Sequence, residues 1–317
     1  MLRRPVVAIL ALLLAAAPAR AETWKVARAP EAVALGGDGV MWLESGPEAT
    51  DLYAARPGSD PTRVQRLPAD GEVELAASSS RTAVVSRHGD RLEVFAGAVG
   101  ARLARIERCE RHVAASGIDV SGDLLAFPRC DGRLVVRDLA GAEPDVVLGA
   151  RVRDAQLAGR FVAWREGGHD PRVVVYDRDH GRVAYELPAA GIGTLALQAN
   201  GKVAFALHAG DGLQELGWAT RRQPTVNRLD IANRFAYFPR MASGRIAFGR
   251  TPVKATDDSG DELGIVAPWS PHATILSRRL TSTTALDYDG STIAYAERRH
   301  HGAAIRTREP PVSPRPG

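Results

Sequence analysis

Seven polar and aromatic residues lie just before strand-like apolar stretches of this 317-residue chain, where their side chains could form a binding site. They are Arg111, His112, Arg153, Asp154, Arg234, Tyr237 and Arg240. Arginine dominates the set, and its planar guanidinium group binds carboxylates and phosphates through two parallel hydrogen bonds. The residue types therefore predict a site for a small anionic ligand or for an acidic segment of a protein partner.

A second set of residues is acidic: Asp257, Asp258, Asp261 and Glu262 stand close together in a long loop. Ca²⁺ takes roughly six to eight oxygen ligands, which closely spaced carboxylates can supply. The spacing does not match an EF-hand, because the bidentate Glu at the end of that motif is missing. We therefore favour a solvated loop over a calcium site.

The chain contains two cysteines, Cys109 and Cys130. In an oxidising compartment they are expected to form a disulfide, which closes a loop of about 20 residues and contributes ~3 kcal/mol in the chain-entropy model. A pair of reduced, buried thiols is the alternative. Two thiols alone offer too few ligands for a metal site.

The sequence lacks local catalytic motifs. It contains no Gly-x-Ser-x-Gly nucleophile elbow, no His-Glu-x-x-His and no Cys-x-x-Cys. Residues 191–196 match the dinucleotide fingerprint Gly-x-Gly-x-x-Ala, but no helical period follows, so we interpret them as a turn between strands. No cofactor is expected. A triad assembled from distant Ser, His and Asp residues stays open, without a local motif to mark it.

Residues 1–21 have the pattern of a cleavable secretory leader. Arg3 and Arg4 precede an apolar run over residues 6–17, and a small-residue cleavage site ends at Ala21. The run is too short for a membrane-spanning helix, although a retained anchor is the alternative. The mature chain is then expected in the periplasm or outside the cell, without a membrane span. It has 38 basic residues against 37 acidic ones, interspersed along the sequence, which argues against nucleic-acid binding.

The elements that would position the binding residues recur along the chain. An apolar triplet appears seven times: Val40-Met41-Trp42, Ala83-Val84-Val85, Leu125-Ala126-Phe127, Val162-Ala163-Trp164, Val203-Ala204-Phe205, Ile246-Ala247-Phe248 and Ile293-Ala294-Tyr295. The last residues of consecutive triplets are 43, 42, 37, 41, 43 and 47 positions apart. Continuous apolar triplets of strand length indicate sheets that are covered on both faces. A repeat of this length with four strands is typical of a β-propeller blade.

The predicted fold is a seven-bladed β-propeller of four-stranded antiparallel blades over residues 22–309, followed by a disordered Pro-rich tail at 310–317. The seventh repeat has no fourth strand before that tail. Residues 23–27 are strand-like, and we predict that they become the outer strand of the last blade and close the ring. In this fold the segments that enter the innermost strands approach the central channel. The seven residues named first are therefore predicted at the channel mouth.

The repeat resembles a known family. A Gly, then Arg or Lys, then a hydrophobic residue, Ala and an aromatic residue is followed by a turn and by an apolar-x-apolar-x-Asp strand, as in residues 134–138 and 173–177. This cassette distantly resembles the TolB-like, or PD40/WD40-like, bacterial propeller repeats over residues 22–307. The resemblance implies the propeller fold. It leaves function open, because propellers serve as binding platforms, hydrolases and lyases alike.

For function, the sequence predicts an exported, monomeric, non-enzymatic binding or scaffold module. It would engage a protein partner of the cell envelope or a small anionic ligand through its channel mouth or one loop face. The first alternative is an exported hydrolase or lactonase-like enzyme with its site in the central channel, and the second is a structural role in an envelope complex. Inward-facing Asp, Glu, Asn and His side chains that converge on one central point would favour the enzyme.

Overall fold

The computed structural model describes residues 21–68, 71–110, 117–208, 214–229, 235–251, 261–270, 272–282, 284–300 and 302–311. Within these ranges the chain forms 28 β-strands. Residues 1–20 of the predicted leader and residues 312–317 of the predicted tail lie outside the described ranges. So do Arg111, His112, Arg234, Asp257 and Asp258. No helix in the described part of the chain has the length and apolar character needed to cross a membrane.

In chain order the strands are β1 (Thr23–Val26), β2 (Ala32–Gly36), β3 (Gly39–Ser45), β4 (Ala49–Ala55), β5 (Thr62–Pro68), β6 (Val73–Ala77), β7 (Arg81–His88), β8 (Arg91–Ala98), β9 (Ala104–Cys109), β10 (Asp119–Ser121), β11 (Leu124–Pro128), β12 (Arg133–Asp138), β13 (Val146–Ala150) and β14 (Val152–Ala158). The second half contains β15 (Phe161–Glu166), β16 (Arg172–Asp177), β17 (Arg182–Pro188), β18 (Ile192–Leu197), β19 (Val203–His208), β20 (Gln214–Thr220), β21 (Gln223–Leu229), β22 (Phe235–Ala242), β23 (Arg245–Thr251), β24 (Asp261–Val266), β25 (Thr274–Leu280), β26 (Leu286–Tyr288), β27 (Ile293–Arg298) and β28 (Ala303–Arg308).

Consecutive strands pair into seven blades. Blades 1 to 5 are the four-stranded sheets β2–β5, β6–β9, β10–β13, β14–β17 and β18–β21. Blade 6 (β22–β25) and blade 7 (β26, β27, β28 and β1) are joined into one larger sheet by a single pairing of Leu280 with Glu297. This is the predicted seven-bladed, all-β architecture.

The blades pack face to face because successive residues of a strand point to opposite sides. In blade 4, Val162 and Trp164 pack against blade 3, whereas Ala163 between them packs against blade 5. All seven apolar triplets are at most 3% exposed, as their composition predicts. Seven core clusters result, one between each pair of neighbouring blades, and the seventh lies between blades 7 and 1.

The N-terminal strand belongs to the last blade. β1 pairs antiparallel with β28, and Trp24 lies opposite Ile305. The Trp24 ring packs with Trp42 and Ile305 between blades 7 and 1, and its Nε1 donates a hydrogen bond to the carbonyl oxygen of Ser59 at 3.0 Å. The strand thus occupies the outer position of blade 7 and contacts blade 1, which is the pairing predicted from the sequence.

The two cysteines form a disulfide that links two blades. Cys109 ends β9 in blade 2, and Cys130 lies in the turn between β11 and β12 in blade 3. Their Cα atoms are 5.3 Å apart. The predicted disulfide is confirmed, so the two cysteines are not the reduced thiols of the alternative.

Candidate functional site: the central channel

The innermost strands of all seven blades surround a narrow central cavity of about 140 Å³. Each contributes one residue that pairs with a residue of its blade's apolar triplet. The partner is the middle residue of the triplet in six blades, whereas in blade 2 Ala76 pairs with the first residue, Ala83. We call these seven residues the waist ring: Ala34, Ala76, Asp119, Gln156, Ala196, Arg240 and Asp287. The three alanines leave room in the channel, and the other four residues give this level of it a polar and charged lining.

A wider cavity of about 400 Å³ lies on the side of the waist ring where the chain enters the innermost strands; we call it the mouth cavity. It shares Gln156 and Arg240 with the waist. Four charged side chains line it at depth: Glu74, Asp154, Arg165 and Arg240. Its apolar walls include Leu75, Ile118, Leu195 and Phe238. The exposed Glu31 and Glu72 stand at the rim.

Irregular backbone brings Asp154 into this cavity. The pairing of β14 with β15 shifts register between Arg153 and Gln156, and Asp154 adopts a φ of 57°. Asp tolerates this left-handed conformation better than most residues do. Gly117 of the neighbouring blade permits the close approach, because a Cβ there would lie 2.2 Å from the Ala155 nitrogen. A similar register shift in β22 lies between Tyr237 and Arg240.

Polar side chains of the innermost strands also join neighbouring blades at five of the seven blade junctions. The hydrogen bonds run from Gly117 N to Glu74 Oε1 (3.5 Å), from Leu157 N to Asp119 Oδ2 (2.7 Å), from Leu195 N to Asp154 Oδ2, from Phe238 N to Thr194 Oγ1 (3.2 Å) and from Leu35 N to Asp287 Oδ2 (2.8 Å). Each acceptor satisfies a backbone N–H of the next blade, and such groups are costly when buried without a partner. These side chains therefore have a structural task as well as a place in the channel.

The channel carboxyl groups are difficult to ionise. Burial raises the pKa of both Asp119 and Asp154 to about 7, and it also raises the pKa of Asp287 and of Glu74. Arg240 opposes the shift at all three aspartates. Its Nε lies 3.6 Å from Asp287 Oδ1. One guanidinium group thus partly compensates three carboxyl groups that come from three blades.

Arg165 is the second cation of the mouth cavity. Its Nη1 donates a hydrogen bond to the Ile192 carbonyl oxygen of blade 5 at 2.7 Å. Its Nε is buried and has no hydrogen-bond acceptor among the described residues. Across the described ranges, no carboxylate lies within 4 Å of this guanidinium group. Arg165 therefore faces the cavity with a charge that has no ion-pair partner among the described residues.

The structure brings together two of the residues predicted from the sequence and separates others. Asp154 and Arg240 line the mouth cavity. Arg153 is exposed and lies outside its lining, and the ring centroid of Tyr237 is 6.4 Å from that of Phe238. The site predicted from the sequence did not include Glu74, Asp119, Arg165 or Asp287. A signal existed for two of these, because Asp119 and Asp287 each stand three residues before the Gly of a blade turn.

Two of the four acidic loop residues, Asp261 and Glu262, lie in the described ranges, and both contact other protein side chains. Glu262 is buried and pairs with Arg250, with Nε and Oε2 2.6 Å apart. Asp261 Oδ1 accepts a hydrogen bond from Thr251 Oγ1 at 2.8 Å. In the described ranges, the only group of three metal-donor residues within reach of one ion contains Glu107, Cys109 and Cys130, whose sulfurs are joined in the disulfide. Asp261 and Glu262 thus serve the packing of blade 6.

Comparisons with solved structures identify the same fold. TolB from Acinetobacter baumannii superposes with a TM-score of 0.54 at 14% identity, covering 86% of this chain and 65% of that one. The WD40 propeller domain of Doa1 gives 0.58 at 11% identity, covering 90% and 95%. A puromycin hydrolase mutant gives 0.53 at 19% identity, covering 85% of this chain and 50% of that one. The chain thus spans half of the hydrolase and about two thirds of TolB, and at these identities the likeness shows the fold.

No protein-family model matches the sequence, and no curated protein matches it in a sequence search. The predicted resemblance to TolB-like and WD40-like propellers therefore holds at the level of the fold. The chemistry of the site has to be argued from the channel residues themselves.

Proposed function

We propose that the chain is an exported, non-enzymatic binding module that engages its ligand at the mouth cavity. The observation that supports this most is the deep lining of that cavity, which combines two carboxyl groups, two guanidinium groups and apolar walls. Concave sites with a few convergent polar groups on an apolar wall are typical ligand sites. Among the described residues of the lining, none is a Ser, Cys or His that could act as a nucleophile or its base.

The predicted residues fit this proposal in two ways. Asp154 and Arg240 line the cavity itself. We propose that Arg153 and Tyr237 contact the part of a ligand or of an envelope protein that extends beyond the rim. Export to the periplasm or the medium remains a proposal that rests on the leader-like residues 1–21.

A hydrolytic enzyme is the second candidate, and one observation favours it. Acidic side chains do converge on the channel, and Asp119 and Asp154 have a pKa of about 7, which suits general acid–base catalysis. Each of the two carboxylates, however, accepts a backbone hydrogen bond from the next blade. We therefore rank the enzyme below the binding module.

Site-specific photo-cross-linking in the native host tests the proposal. A photoreactive residue replaces Glu72, at the rim of the mouth cavity, or Val183, which is 44% exposed on the outer strand β17. Adducts are detected on gels for protein partners and by intact-mass spectrometry for small ligands. We expect adducts at position 72 and none at position 183. Equal adduct formation at both positions, or none at position 72, would contradict the proposal.

A further inference from the structure

We infer that the mouth cavity binds a small zwitterion of amino-acid or dipeptide size, with the ligand carboxylate at Arg165 and its ammonium group at Asp154. The inference rests on the proposed function, because it names the ligand chemistry of the same cavity. It follows from two opposite charges that face one space, both without an ion-pair partner in the described part of the chain.

The first charge is the guanidinium group of Arg165. Among the described residues it makes one hydrogen bond, to the Ile192 carbonyl oxygen, although a guanidinium has five N–H donors. Its Nε is buried without an acceptor among the described residues. A charged group removed from water needs hydrogen-bonding partners to offset the loss of hydration. A carboxylate that enters the mouth cavity would provide them through two parallel hydrogen bonds.

The second charge is the carboxylate of Asp154. Its Oδ2 accepts the backbone N–H of Leu195, and no cationic side chain of the described residues lies within 4 Å of it. Arg165 and Arg240 act on this carboxyl group from a distance, and Glu74 opposes them. Burial outweighs the two arginines and raises the pKa of Asp154 to about 7. An ammonium group beside Asp154 would compensate its charge.

The two groups are close in the fold and still do not pair. Asp154 lies in β14 and Arg165 in β15, which are neighbouring strands of blade 4. The bulge in β14 and the contact of Arg165 with blade 5 hold their charged ends apart. A molecule with a charge of each sign can lie between them. A simple anion would leave the negative charge of Asp154 uncompensated, and a simple cation would leave the positive charge of Arg165 uncompensated.

The remaining lining sets the size and polarity of the ligand. A volume of about 400 Å³ is at the lower end of the roughly 300–1,000 Å³ range of small-molecule sites. Leu75, Ile118, Leu195 and Phe238 form an apolar wall that suits an aliphatic or aromatic side chain. Arg240 and Asp287 narrow the channel behind the cavity, which limits how far a ligand can enter.

The test uses leucine and leucyl-leucine with two single-charge analogues. Isothermal titration calorimetry at pH 7.5 compares them with leucinamide, which keeps only the ammonium group, and with N-acetyl-leucine, which keeps only the carboxylate. We expect at least one zwitterion to bind, and both analogues to bind about ten- to hundredfold more weakly, the factor for one charged hydrogen-bonding contact.

Two variants then test which protein group binds the carboxylate of the ligand and which binds its ammonium group. In Arg165→Gln the zwitterion should lose its advantage over leucinamide, and in Asp154→Asn it should lose its advantage over N-acetyl-leucine. Arg182→Gln and Asp170→Asn are matched controls on exposed positions of blade 4 and should bind as the unmodified protein does. Circular dichroism and thermal unfolding confirm that each variant is folded. If Arg165→Gln does not fold, Arg165→Lys keeps the charge but removes the bidentate geometry, and a smaller loss of the zwitterion's advantage over leucinamide is expected.

Three results would overturn the inference. The first is no binding of either zwitterion or of a wider panel of amino acids. The second is equal affinity for a zwitterion and one single-charge analogue. The third is zwitterion binding that both variants leave unchanged. In each case, cross-linking at position 72 would still decide whether the mouth cavity is a binding site for some other ligand, so the two proposals can fail separately.

Discussion

The Nε of Arg240 lies 3.6 Å from Oδ1 of Asp287, joining the innermost strands of blades 6 and 7 at the waist of the channel. Both residues belong to the waist ring, and Asp287 also accepts the backbone N–H of Leu35 in blade 1. One carboxyl group thus connects three consecutive blades around the point where the two ends of the chain meet. Charge balance in the channel and stability of the ring are therefore coupled.

Removing the Arg240 charge should destabilise the protein more at high pH than at low pH. Arg240 favours the ionised form of Asp119, Asp154 and Asp287, so its loss raises the pKa of all three. The penalty is small where these groups are protonated and grows as they ionise. Urea unfolding of Arg240→Gln at pH 5 and pH 8 measures the difference. Arg182→Gln, at an exposed position, should show no such pH dependence; a loss for Arg240→Gln that is equal at both pH values would contradict the coupling.

The free energy of unfolding should fall as pH rises from about 4 to about 8. Asp119 has a pKa of about 7 in the folded protein, against 3.8 as its ordinary value. A group with a raised folded pKa stabilises fully below its unfolded pKa, and this contribution is lost as pH rises through the folded pKa. For Asp119 the difference in unfolding free energy is on the order of 4 kcal/mol.

The variant Asp119→Asn checks the origin of this slope. It does not titrate, so its curve of unfolding free energy against pH should be flatter than that of the unmodified protein. Asp60→Asn replaces an exposed Asp and should leave the slope unchanged. A slope that persists in full in Asp119→Asn would show that this carboxyl group is not responsible.

Loss of the N-terminal strand should lower the melting temperature sharply. Trp24→Ala removes a buried aromatic side chain between blades 7 and 1, and such changes cost about 3–5 kcal/mol. Deletion of residues 22–28 should cost more, because it also removes the pairing with β28. Trp269→Ala is the matched control, since this Trp is 53% exposed. Unchanged melting of Trp24→Ala or of the deletion would argue against a stabilising closure.

Reduction of the disulfide should destabilise the protein by about 3 kcal/mol, the value for a loop of this length in the chain-entropy model. The bond joins blades 2 and 3, and the chain has no other cysteine, so a reductant acts on this bond alone. Guanidinium unfolding with and without dithiothreitol measures the loss. The double variant Cys109→Ser, Cys130→Ser should already have the lower stability and should not respond to the reductant; equal stability of oxidised and reduced protein would refute the prediction.

The blades could be predicted from the sequence because their information is local. Each apolar triplet is buried on both faces in its own blade, and the triplets recur at blade spacing. The role of β1 also followed from counting the strands in each repeat, because the seventh repeat lacked its fourth strand. Neither inference needed knowledge of how the blades face one another.

The channel site could be predicted only in part, because its geometry depends on neighbouring blades. Asp154 and Arg240 could be predicted as site residues because they lie where the chain enters innermost strands. The register shifts that place their side chains in the cavity leave no clear pattern in the sequence. Arg165 follows a core triplet in the second strand of its blade, a position that sequence reasoning places away from the channel. Glu74 and Asp119 look like other acidic residues of strands in the sequence. What distinguishes them is that they accept hydrogen bonds from backbone N–H groups of the next blade.

The most direct test of the account measures cross-linking at position 72 in the host, in the unmodified background and in Arg165→Gln and Arg182→Gln backgrounds. If the ligand lies in the mouth cavity, adduct yield should fall about tenfold or more in Arg165→Gln and stay unchanged in Arg182→Gln. An adduct yield that Arg165→Gln leaves unchanged would contradict the claim that the ligand binds in the mouth cavity through Arg165, and no adduct at position 72 in any background would contradict binding at this cavity.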